Sequence, residues 1–408
     1  MNKKLIPLAE VADMLSVSKE TLRRWDAAGK LTSIRHPVNG YRMYKPNDLK
    51  MFEQLGFLFD STPDAKRIKP ARKYKSIELF AGAGGLALGL EKAGLSCVLL
   101  NEIDKNACET LRTNRPKWNV VEGDVSKIDF KPFAGQVDVV TGGFPCQAFS
   151  YAGKKLGFED ARGTLFYEFA RAVKETKPLI AVGENVRGLL SHENGETVAG
   201  MSSILEELGY RVIPPQVLKA IFYNVPQKRE RLFIVAIRKD LKINFEFPKP
   251  NKKILMLRDA LKAGVLYDTD VPESAGQKYP KEKAAIMDMV PPGGYWRDLP
   301  LPVQKIYMQK SFFLGGGKTG MARRMSWDEP SLTLTCAPAQ KQTERCHPDH
   351  TRPFTVREYA RIQTFPDDWE FSGSLTSQYK QIGNAVPVNL AEAMGQCIVA
   401  ALNKHKKK

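Results

Sequence analysis

The sequence predicts an α/β protein: a mostly parallel sheet with helices on both faces, a second smaller domain, and a separate helical domain at the N-terminus. From residue 76 onwards, apolar strand-like runs alternate with helical patterns, which is typical of a parallel sheet. The first 60 residues show two short helices and a hairpin pattern instead. A chain of 408 residues, 43% of them hydrophobic, is long enough for two or three packed domains.

The charge balance indicates a polyanionic partner. Lys and Arg total 62 against 45 Asp and Glu, which gives a net charge of +17. The first 75 residues carry a disproportionate share of this excess. A basic surface of this size favours nucleic acid as the partner, with a merely solvated basic surface as the alternative.

Neither a membrane segment nor a metal site is expected. The sequence has no apolar run of about 18 residues and no signal-peptide pattern, and its six cysteines are scattered, so we expect a cytoplasmic protein without membrane contact. Cys336, Cys346, His347 and His350 lack the paired Cys-x-x-Cys spacing of zinc sites, so no metal is predicted.

Residues 1–60 have the pattern of a winged helix-turn-helix. Apolar residues over 5–16 predict a first helix, Ser18 can cap a second, and Gly29 suits its end. Asn39-Gly40 predicts a two-residue hairpin, and Asn47 a cap for a third helix. The residues expected to face DNA are Lys19, Thr21, Arg23, Arg24 and Arg42.

The N-terminal run LAEVADMLSVSKETLRRWDAAGKL resembles the helix-turn-helix of the MerR and excisionase type. A helical protein-interaction module is the alternative. Residues 61–75 are basic, polar and proline-bearing, so they are predicted to be a linker.

Three successive predicted strands end in groups that can bind an adenosine-containing ligand. The first leads into the glycine turn AGAGG before a helix, the second ends at Glu102 and the third at Asp124. A glycine turn permits close approach of a ligand, and a carboxylate at the second strand can bind both hydroxyls of a ribose. The Lys and Ser/Thr that follow the glycines of a phosphate-binding loop are missing here, so a phosphate-rich ligand is not favoured. A nicotinamide dinucleotide is the alternative ligand.

The stretch GGFPCQAFS, residues 142 to 150, follows the fourth strand and presents Cys146. A tight turn with a buried cysteine is the alternative reading. The next strand ends at Glu184, and a cysteine beside a glutamate is a nucleophile and acid arrangement. Arg229 and Arg231 alternate in QKRER, so both are expected to meet the same ligand.

The motifs FAGAGGLALGL, NEIDKNA, GFPCQAFS, RGTLF, GENVRGL, QKRERLF, RPFTVREYARIQTFPDDW and QIGNAVPVNLAEAMG occur in the order seen in the DNA cytosine-5 methyltransferase family. The resemblance covers about residues 76 to 403. It implies a Rossmann-like S-adenosylmethionine-dependent methyltransferase domain over 76–244, a target-recognition domain over 245–372 and a C-terminal return to the catalytic domain over 373–408.

The resemblance also implies residue roles. Cys146 would add to carbon 6 of a cytosine, Glu184 would bind ring nitrogen 3, Arg231 would hold the base carbonyl, and Arg229 would support the site. The target base would be flipped out of the duplex. The implied S-adenosylmethionine pocket comprises Phe80, Gly82, Gly84, Gly85, Leu86, Glu102, Ile103, Asp124, Val125, Pro145, Leu165, Asn384 and Val386.

Further residues are predicted to contact DNA. Basic and amide side chains read base edges in the major groove, and the candidates are Gln147, Ser150, Arg323, Arg324, Gln340, Lys341, Gln342 and Arg345.

The expected function is a DNA cytosine-5 methyltransferase of a restriction-modification system. Its partners would be double-stranded DNA at the target site and at its own promoter for autoregulation, with added affinity for DNA as the alternative role of the N-terminal domain. The cognate endonuclease would share the site without binding. We expect a monomer on the target, with a dimer through the N-terminal domain as the alternative, associated with the nucleoid. The other functional candidates are an RNA cytosine-5 methyltransferase and a catalytically silent DNA-binding regulator.

Overall fold

The N-terminal domain is a helix-turn-helix beside a three-stranded antiparallel sheet. The computed structural model describes residues 5–37, 40–59, 67–145, 164–315 and 318–405. The elements of this domain are β1 (Ile6–Pro7), α1 (Leu8–Leu15), α2 (Lys19–Ala27), β2 (Ile34–Arg35) and β3 (Arg42–Tyr44), with strand order β1-β3-β2. Ser18 caps α2 through a 2.9 Å bond from Thr21 N, and Gly29 follows the helix end at a φ of 68°.

Two predictions for this domain were wrong. His36 N donates to Tyr41 O at 2.8 Å, so the hairpin loop spans the four residues 37–40 rather than two; Val38 and Asn39 lie outside the described residues. Two 3-10 helices, Pro46–Met51 and Glu53–Phe59, replace the third helix. Pro46 fixes the first turn ahead of Asn47, and Phe52 between the two helices has extended backbone.

A seven-stranded sheet forms the catalytic domain, as predicted. Its order is β6-β5-β4-β7-β8-β11-β9, and all neighbours are parallel except β11, which is antiparallel to both β8 and β9. The strands from this part of the chain are β4 (Tyr74–Leu79), β5 (Leu95–Glu102), β6 (Val120–Glu122), β7 (Val139–Gly142), β8 (Ile180–Val186), β9 (Tyr210–Lys219), β10 (Gln227–Lys228) and β11 (Glu230–Arg238).

Helices cover both faces of this sheet. Four of them are α3 (Gly85–Ala93), α4 (Lys105–Asn114), α5 (Leu165–Thr176) and α6 (Glu196–Glu207). One apolar cluster joins Leu90 of α3 to Val139 and Val235 of the sheet, and a second joins Phe169 of α5 to Val140. Burial on both faces explains why strands such as IAVGENV are almost continuously apolar.

The small domain has its own apolar cluster, which extends from Met287 to Cys346. This is narrower than the predicted range 245–372, because Phe365 and Trp369 pack with Leu88 and Leu111 of the catalytic domain. The elements from residue 257 to the C-terminus are α7 (Leu257–Leu261), α8 (Lys281–Asp288), α9 (Leu301–Met308), β12 (Ser331–Leu332), α10 (Val356–Ile362), α11 (Leu375–Asn384) and α12 (Val388–Lys404). β12 pairs with β10.

The C-terminal segment returns to the catalytic domain and packs on α3, the helix after the first strand of the sheet. Cβ atoms added at Gly89 and Gly395 would lie 2.3 Å from Ala391 Cβ and 2.6 Å from Ala93 Cβ, so α3 and α12 cross closely. Leu375–Lys404 is apolar and long enough to span a membrane, but 67% of its most apolar window is buried inside the protein. It is therefore explained as a core segment.

The predicted linker is partly docked on the catalytic domain. Ile68 N donates to Gln396 Oε1 at 2.6 Å, Ala71 N donates to Asn403 Oδ1 at 2.8 Å, and Arg72 pairs with Asp138. The sheet begins at Tyr74, so only the first part of the range 61–75 stays a predicted linker.

Candidate active site

The carboxyl ends of the parallel strands meet at one edge of the sheet, and the predicted site residues of β4, β5, β7 and β8 lie along it. Ligands of open α/β sheets bind at this edge, outside the carboxyl ends of the strands. β11 begins at the same edge, because Arg231 faces Val186 at the end of β8. We call it the catalytic edge.

Glu184 is a buried acid at the catalytic edge. It is 8% exposed, and its Oε1 lies 2.7 Å from Arg231 Nε. The contact is an ion pair, because Glu184 Oε1 has no aligned hydrogen-bond donor among the described residues. Burial raises the pKa of Glu184, and Arg231 and Arg229 only partly offset this effect. The carboxyl group therefore keeps its proton to higher pH than an exposed glutamate, as an acid for catalysis must.

A second buried acid lies near Glu184 on the central strand β4. Burial raises the pKa of Glu78 to about 8, and the charge of Glu184 adds to the effect. The proton on Glu78 lowers the total charge in this part of the interior, since like charges at close range disfavour joint ionisation.

The turn after β7 approaches Glu184 through a glycine. A Cβ atom at Gly143 would lie 3.1 Å from Glu184 Oε2, so a larger residue would crowd the acid. Pro145, the last described residue of this turn, is exposed. Cys146, Gln147 and Ser150 lie outside the described residues.

Asn185 holds this turn, and the sequence reasoning gave it no role. Its Nδ2 donates to Phe144 O at 2.8 Å, and its Oδ1 accepts from Val186 N at 2.8 Å. Asn185 is 5% exposed, so both bonds are shielded from water. The sequence does contain an indication of this role, because the polar pair Glu184-Asn185 stands at the end of an apolar strand. Buried polar groups need hydrogen-bond partners, so a structural role for Asn185 could have been predicted.

Arg229 binds backbone carbonyls, so the expectation that it meets the same ligand as Arg231 was wrong, whereas its predicted role in supporting the site stays a prediction. It is 1% exposed, and its guanidinium donates to Leu334 O at 3.2 Å, Gly383 O at 2.9 Å and Asn384 O at 3.3 Å. The alternation of a strand does not apply, because Arg229 lies in the break between β10 and β11. It is a positioning residue that ties the C-terminal return to the sheet.

Two buried glutamines reinforce this connection. Gln227 Nε2 donates to Gln363 Oε1 at 2.9 Å, and Gln363 Nε2 donates to Ile382 O at 2.7 Å and Ala385 O at 3.1 Å. These amides fix the segment that carries Asn384 and Val386. Neither glutamine was predicted from the sequence, because their partners lie far away along the chain.

Glu102 at the end of β5 organises the predicted cofactor pocket. Its carboxylate accepts from Gly82 N at 2.8 Å, Ile103 N at 2.9 Å and Asp104 N at 2.8 Å. Ile103 is 73% exposed, unusual for a large apolar side chain beside a carboxylate. A fixed carboxylate next to an exposed apolar surface fits the ribose and adenine of an adenosine ligand. Phe80 and Gly82, at φ of 58° and 53°, turn the backbone between them.

Gly84 and Gly85 serve packing in this structure. A Cβ atom at Gly85 would lie 2.2 Å from Val386 O, and one at Gly84 would lie 2.6 Å from Leu111 Cδ2. Leu86 and Val386 are 5% and 7% exposed. These residues support the pocket from behind, so the chain beside Asn384 lies against the start of α3.

The remaining predicted cofactor residues lie at element ends. Asp124 is exposed, and its bond from Ser126 N, 2.9 Å long, lowers its pKa, so it is an ionised acceptor. Val125 beside it is buried, and Leu165 begins α5. Asn384 ends α11 and is exposed, with its Oδ1 accepting from the Cys336 thiol at 3.0 Å.

Two arginines predicted to read DNA are structural instead. Arg324 is 4% exposed and donates to Met287 O at 2.7 Å and to three further oxygen acceptors. Arg345 is 5% exposed and donates to Thr333 O and to Glu344 O. A domain with few strands leaves many carbonyls unpaired, and the five donors of a guanidinium satisfy them. Gln340, Lys341 and Gln342 are exposed, Arg323 is partly buried, and all four stay predictions.

Two of the predicted DNA contacts in the N-terminal domain are also engaged within the protein. Arg42 Nε lies 2.7 Å from Asp26 Oδ2, and Lys19 pairs with Glu329. Arg23 and Arg24 on α2 are exposed, while Thr21 is partly buried and its hydroxyl meets that of Ser18 at 2.8 Å.

The histidine-rich stretch of the small domain is explained by hydrogen bonding. His347 Nδ1 accepts from Asp349 N and His350 N, both at 3.1 Å. Burial lowers the pKa of His347 to about 4, consistent with a neutral ring that accepts at Nδ1. Over the described part of the chain, no group of three or more His, Cys, Asp or Glu side chains is arranged to hold a metal ion.

The fold and the site together define an α/β methyltransferase with an N-terminal helix-turn-helix. The family model for C-5 cytosine-specific DNA methylases matches residues 74–400, and that for MerR family regulatory proteins matches residues 8–44. This chain therefore belongs to the C-5 cytosine-specific DNA methylase family and is a DNA cytosine-5 methyltransferase.

Individual relatives and structures agree. The chain is 67% identical to Type II methyltransferase M.Eco47II of Escherichia coli, over 100% of this chain and 98% of the relative. It is 36% identical to Type II methyltransferase M.HhaI of Haemophilus parahaemolyticus, over 80% of this chain and 94% of the relative. A prophage-encoded DNA modification methyltransferase structure from E. coli shares the fold at a TM-score of 0.63 and 24% identity, over 81% of this chain and 100% of that one.

Proposed function

We propose that this enzyme methylates carbon 5 of a flipped cytosine in a short specific duplex sequence, as the modification enzyme of a restriction-modification system. The observation that carries the proposal is the buried Glu184, with its raised pKa, beside the turn that Asn185 holds and that leads into Cys146. The assignment to restriction-modification draws on relatives named as Type II methyltransferases.

The chemistry requires a nucleophile at carbon 6 and an acid at nitrogen 3, which are opposite positions of the cytosine ring. Cys146 adds as the thiolate to carbon 6, and Glu184 donates a proton or hydrogen bond to nitrogen 3, which disperses the charge of the addition. Carbon 5 then becomes nucleophilic. Methyl transfer releases a neutral thioether from the sulfonium donor. Solvent water then takes the proton from carbon 5, the electron pair of that bond re-forms the double bond to carbon 6, and Cys146 leaves as the thiolate, which restores the aromatic ring.

Arg231 serves both the acid and the base. Its ion pair orients Glu184, and its Nη1 donates to Glu230 O at 2.9 Å. The remaining guanidinium donors would bind the cytosine carbonyl. The side chain is mostly buried, so these contacts act in a low-dielectric environment where they are strong. Arg229 acts indirectly, by holding the backbone that carries Asn384.

The residues around Glu102 would hold S-adenosylmethionine, which supplies the electrophilic methyl group when bound. Glu102 would accept from the ribose hydroxyls, Ile103 would pack against the adenine, and Asp124 would accept from the adenine amino group. Phe80, Gly82, Pro145, Leu165 and Asn384 would complete the pocket.

The alternatives are weaker. The match to a DNA methylase model favours DNA over RNA as the substrate. Cys146, Glu184 and Asn384 are all present, which favours an active enzyme over a silent regulator. We propose a cytoplasmic enzyme that works on nucleoid DNA as a monomer and shares its site with a cognate endonuclease; promoter binding stays a prediction from the N-terminal sequence.

Bisulfite sequencing of DNA from cells that express the protein tests this function. We expect one short sequence context to carry 5-methylcytosine, because a single recognition domain selects the site. DNA from cells that express the Cys146→Ala variant is the control and should be unmethylated. Methylation absent from both samples, with the protein folded, would contradict the proposal.

A further inference from the structure

We propose that the N-terminal domain is a fixed extension of the DNA-binding surface and binds the phosphates of the same duplex that carries the target cytosine, on one flank of the site. This inference rests on the proposed function, since the duplex is the methylation substrate. It replaces the picture of a tethered module that reads a separate promoter sequence.

The first observation is that the two domains share an apolar core. Val11, Leu22 and Leu55 of the N-terminal domain belong to the same cluster as Phe222 and Val235 of the catalytic domain. Phe57 packs edge-on against Phe222, with ring centroids 5.1 Å apart. Burial of this kind is favourable only while the domains stay in contact, so it opposes independent movement.

The second observation is a cluster of four charges between the domains, formed by Asp13, Lys19, Lys228 and Glu329, which we call the docking cluster. Lys228 Nζ lies 2.8 Å from Asp13 Oδ1 and 3.5 Å from Glu329 Oε2, and Lys19 pairs with Glu329 Oε1. Asp13 and Glu329 are only 11% and 16% exposed, so solvent screens the pairs weakly.

The third observation is the location of these contacts. Lys219 Nζ donates to Met14 O at 2.9 Å, and Ser16 Oγ donates to Glu230 Oε1 at 3.4 Å. Lys219 ends β9, while Lys228 and Glu230 precede Arg231, so all three lie at the catalytic edge. Lys228 precedes Arg231 by three residues, so the two lie at most about 10 Å apart, roughly three base pairs of duplex. The N-terminal domain therefore adjoins the position where a flipped cytosine would meet Glu184.

The contacts of α2 decide what the domain can bind. In a helix-turn-helix, the N-terminal residues of the second helix normally contact base edges. Here the first residue of α2, Lys19, is paired with Glu329, which lies within the predicted range of the target-recognition domain, and the next residue, Glu20, is acidic and 66% exposed. Among the described residues, this end of the helix therefore presents no unpaired basic side chain to base edges. Arg23 and Arg24, further along α2, are exposed. Among the residues that the structure describes, Arg23 has one ion-pair partner, the exposed Glu20, and DNA phosphate can readily replace this contact.

Arg23 and Arg24 are exposed, whereas Lys19 at the start of α2 is engaged with protein. This arrangement favours contacts with the DNA phosphates over contacts with base edges. Such contacts add affinity and salt dependence and carry no direct sequence information. We therefore expect the domain to strengthen binding at the target site without changing which sequence is methylated.

The test compares Arg23→Gln/Arg24→Gln with the matched control Lys73→Gln/Lys75→Gln. The control removes the same charge at the opposite edge of the sheet, where β4 begins. Both variants are assayed as full chains on a duplex carrying one methylation site identified by bisulfite sequencing. The measurements are hydroxyl-radical footprints, binding at several salt concentrations, and kcat and KM for DNA.

We expect the Arg23/Arg24 variant to lose footprint protection on one flank, and the slope of log K against log salt to fall by about 2, since each phosphate contact contributes close to 1. KM for DNA should rise roughly ten-fold at ~0.1 M salt, with kcat and the methylated sequence unchanged. The control should behave as the wild type. The wild-type protein can also be tested on duplexes shortened to about three base pairs beyond the site on either the left or the right. Only one of these two truncations should weaken binding.

A footprint, slope and KM equal to those of the wild type would overturn the inference. It would also be overturned if the variant lost affinity only for its own upstream DNA without a methylation site, since that is promoter binding. Failure of the proposed function has a different signature: no protein transfers a methyl group and bisulfite sequencing identifies no site, while the salt slope measured on mixed-sequence duplex is still smaller by about 2 for the Arg23/Arg24 variant than for the control.

Discussion

At the scale of single residues, the environment of Glu184 assigns its role. A glutamate in water is ionised at neutral pH and a poor proton donor. Burial at the end of β8 raises the pKa of Glu184, while Arg231 keeps the side chain in place. The same burial makes the nearby Arg229 a structural residue, because its two terminal nitrogens donate to the backbone carbonyls of Leu334, Gly383 and Asn384.

Replacing Glu184 by Gln should lower kcat by at least about 100-fold, because the amide cannot transfer a proton to the base. The pH profile gives the sharper result. The raised pKa means that Glu184 keeps its proton up to a higher pH, so activity should fall as pH rises through that value. The alkaline limb of kcat/KM should be absent from Glu184→Gln; an identical limb in both proteins would rule out Glu184 as the acid.

Asn185 should prove to be a positioning residue. Asn185→Asp keeps the acceptor for Val186 N but loses the donor to Phe144 O. Loss of one buried hydrogen bond should reduce kcat about ten-fold or more, while KM for S-adenosylmethionine stays unchanged because the cofactor pocket is separate. A proportional loss of kcat and cofactor affinity would indicate general damage instead.

The sequence predicted the site better than its supporting residues. Cys146, Glu184 and Glu102 lie at or just after the ends of predicted strands. This position along the chain indicated them as site residues without any knowledge of their contacts. Asn185, Gln227 and Gln363 act through burial and hydrogen bonds between segments far apart in the chain, which a single sequence does not display. Arg324 and Arg345 were assigned to DNA because an exposed and a buried arginine look alike in sequence.

At the scale of elements, the contact of α3 with the C-terminal segment completes the catalytic domain. Gly85 meets Val386 O, while Gly89 and Gly395 bring α3 and α12 together. The glycine turn therefore serves two purposes, since the same residues that approach a ligand also permit close packing. Sequence reasoning identified the turn and missed the packing.

Replacing Gly85 by Ala should destabilise the protein by at least about 2 kcal/mol, because the new methyl group would overlap a backbone oxygen that cannot move freely. Thermal unfolding measures the effect. Gly56→Ala is the matched control, since nothing lies within 4 Å of a Cβ atom there. Equal melting temperatures for the two variants would show that α3 and Val386 are not in close contact.

At the scale of the whole molecule, two domains that read as separate in sequence form one packed unit. The sequence predicted a detachable N-terminal module because residues 61–75 look like a linker. Contacts such as Phe57 with Phe222, and Asp13 with Lys228, are invisible to that reasoning because neither partner has a distinctive pattern. The mostly parallel sheet was predicted from the sequence and the family resemblance, whereas its strand order and the domain arrangement required the structure.

Deletion of residues 1–60 should lower the melting temperature by at least about 5 °C, because it exposes the apolar surface around Phe222 and leaves Lys228 without Asp13. Arg23→Gln/Arg24→Gln is the control and should melt like the wild type, since it leaves the docking cluster intact. A deletion variant with an unchanged melting temperature would mean that the N-terminal domain is dispensable for stability.

The most direct measurement is transfer of a labelled methyl group from S-adenosylmethionine to duplex DNA by the wild-type protein and by Cys146→Ala. The wild type should label cytosine at carbon 5. Cys146→Ala should bind cofactor and DNA but transfer nothing, because carbon 5 is not nucleophilic without addition at carbon 6. A folded Cys146→Ala protein that still labels cytosine would contradict the account.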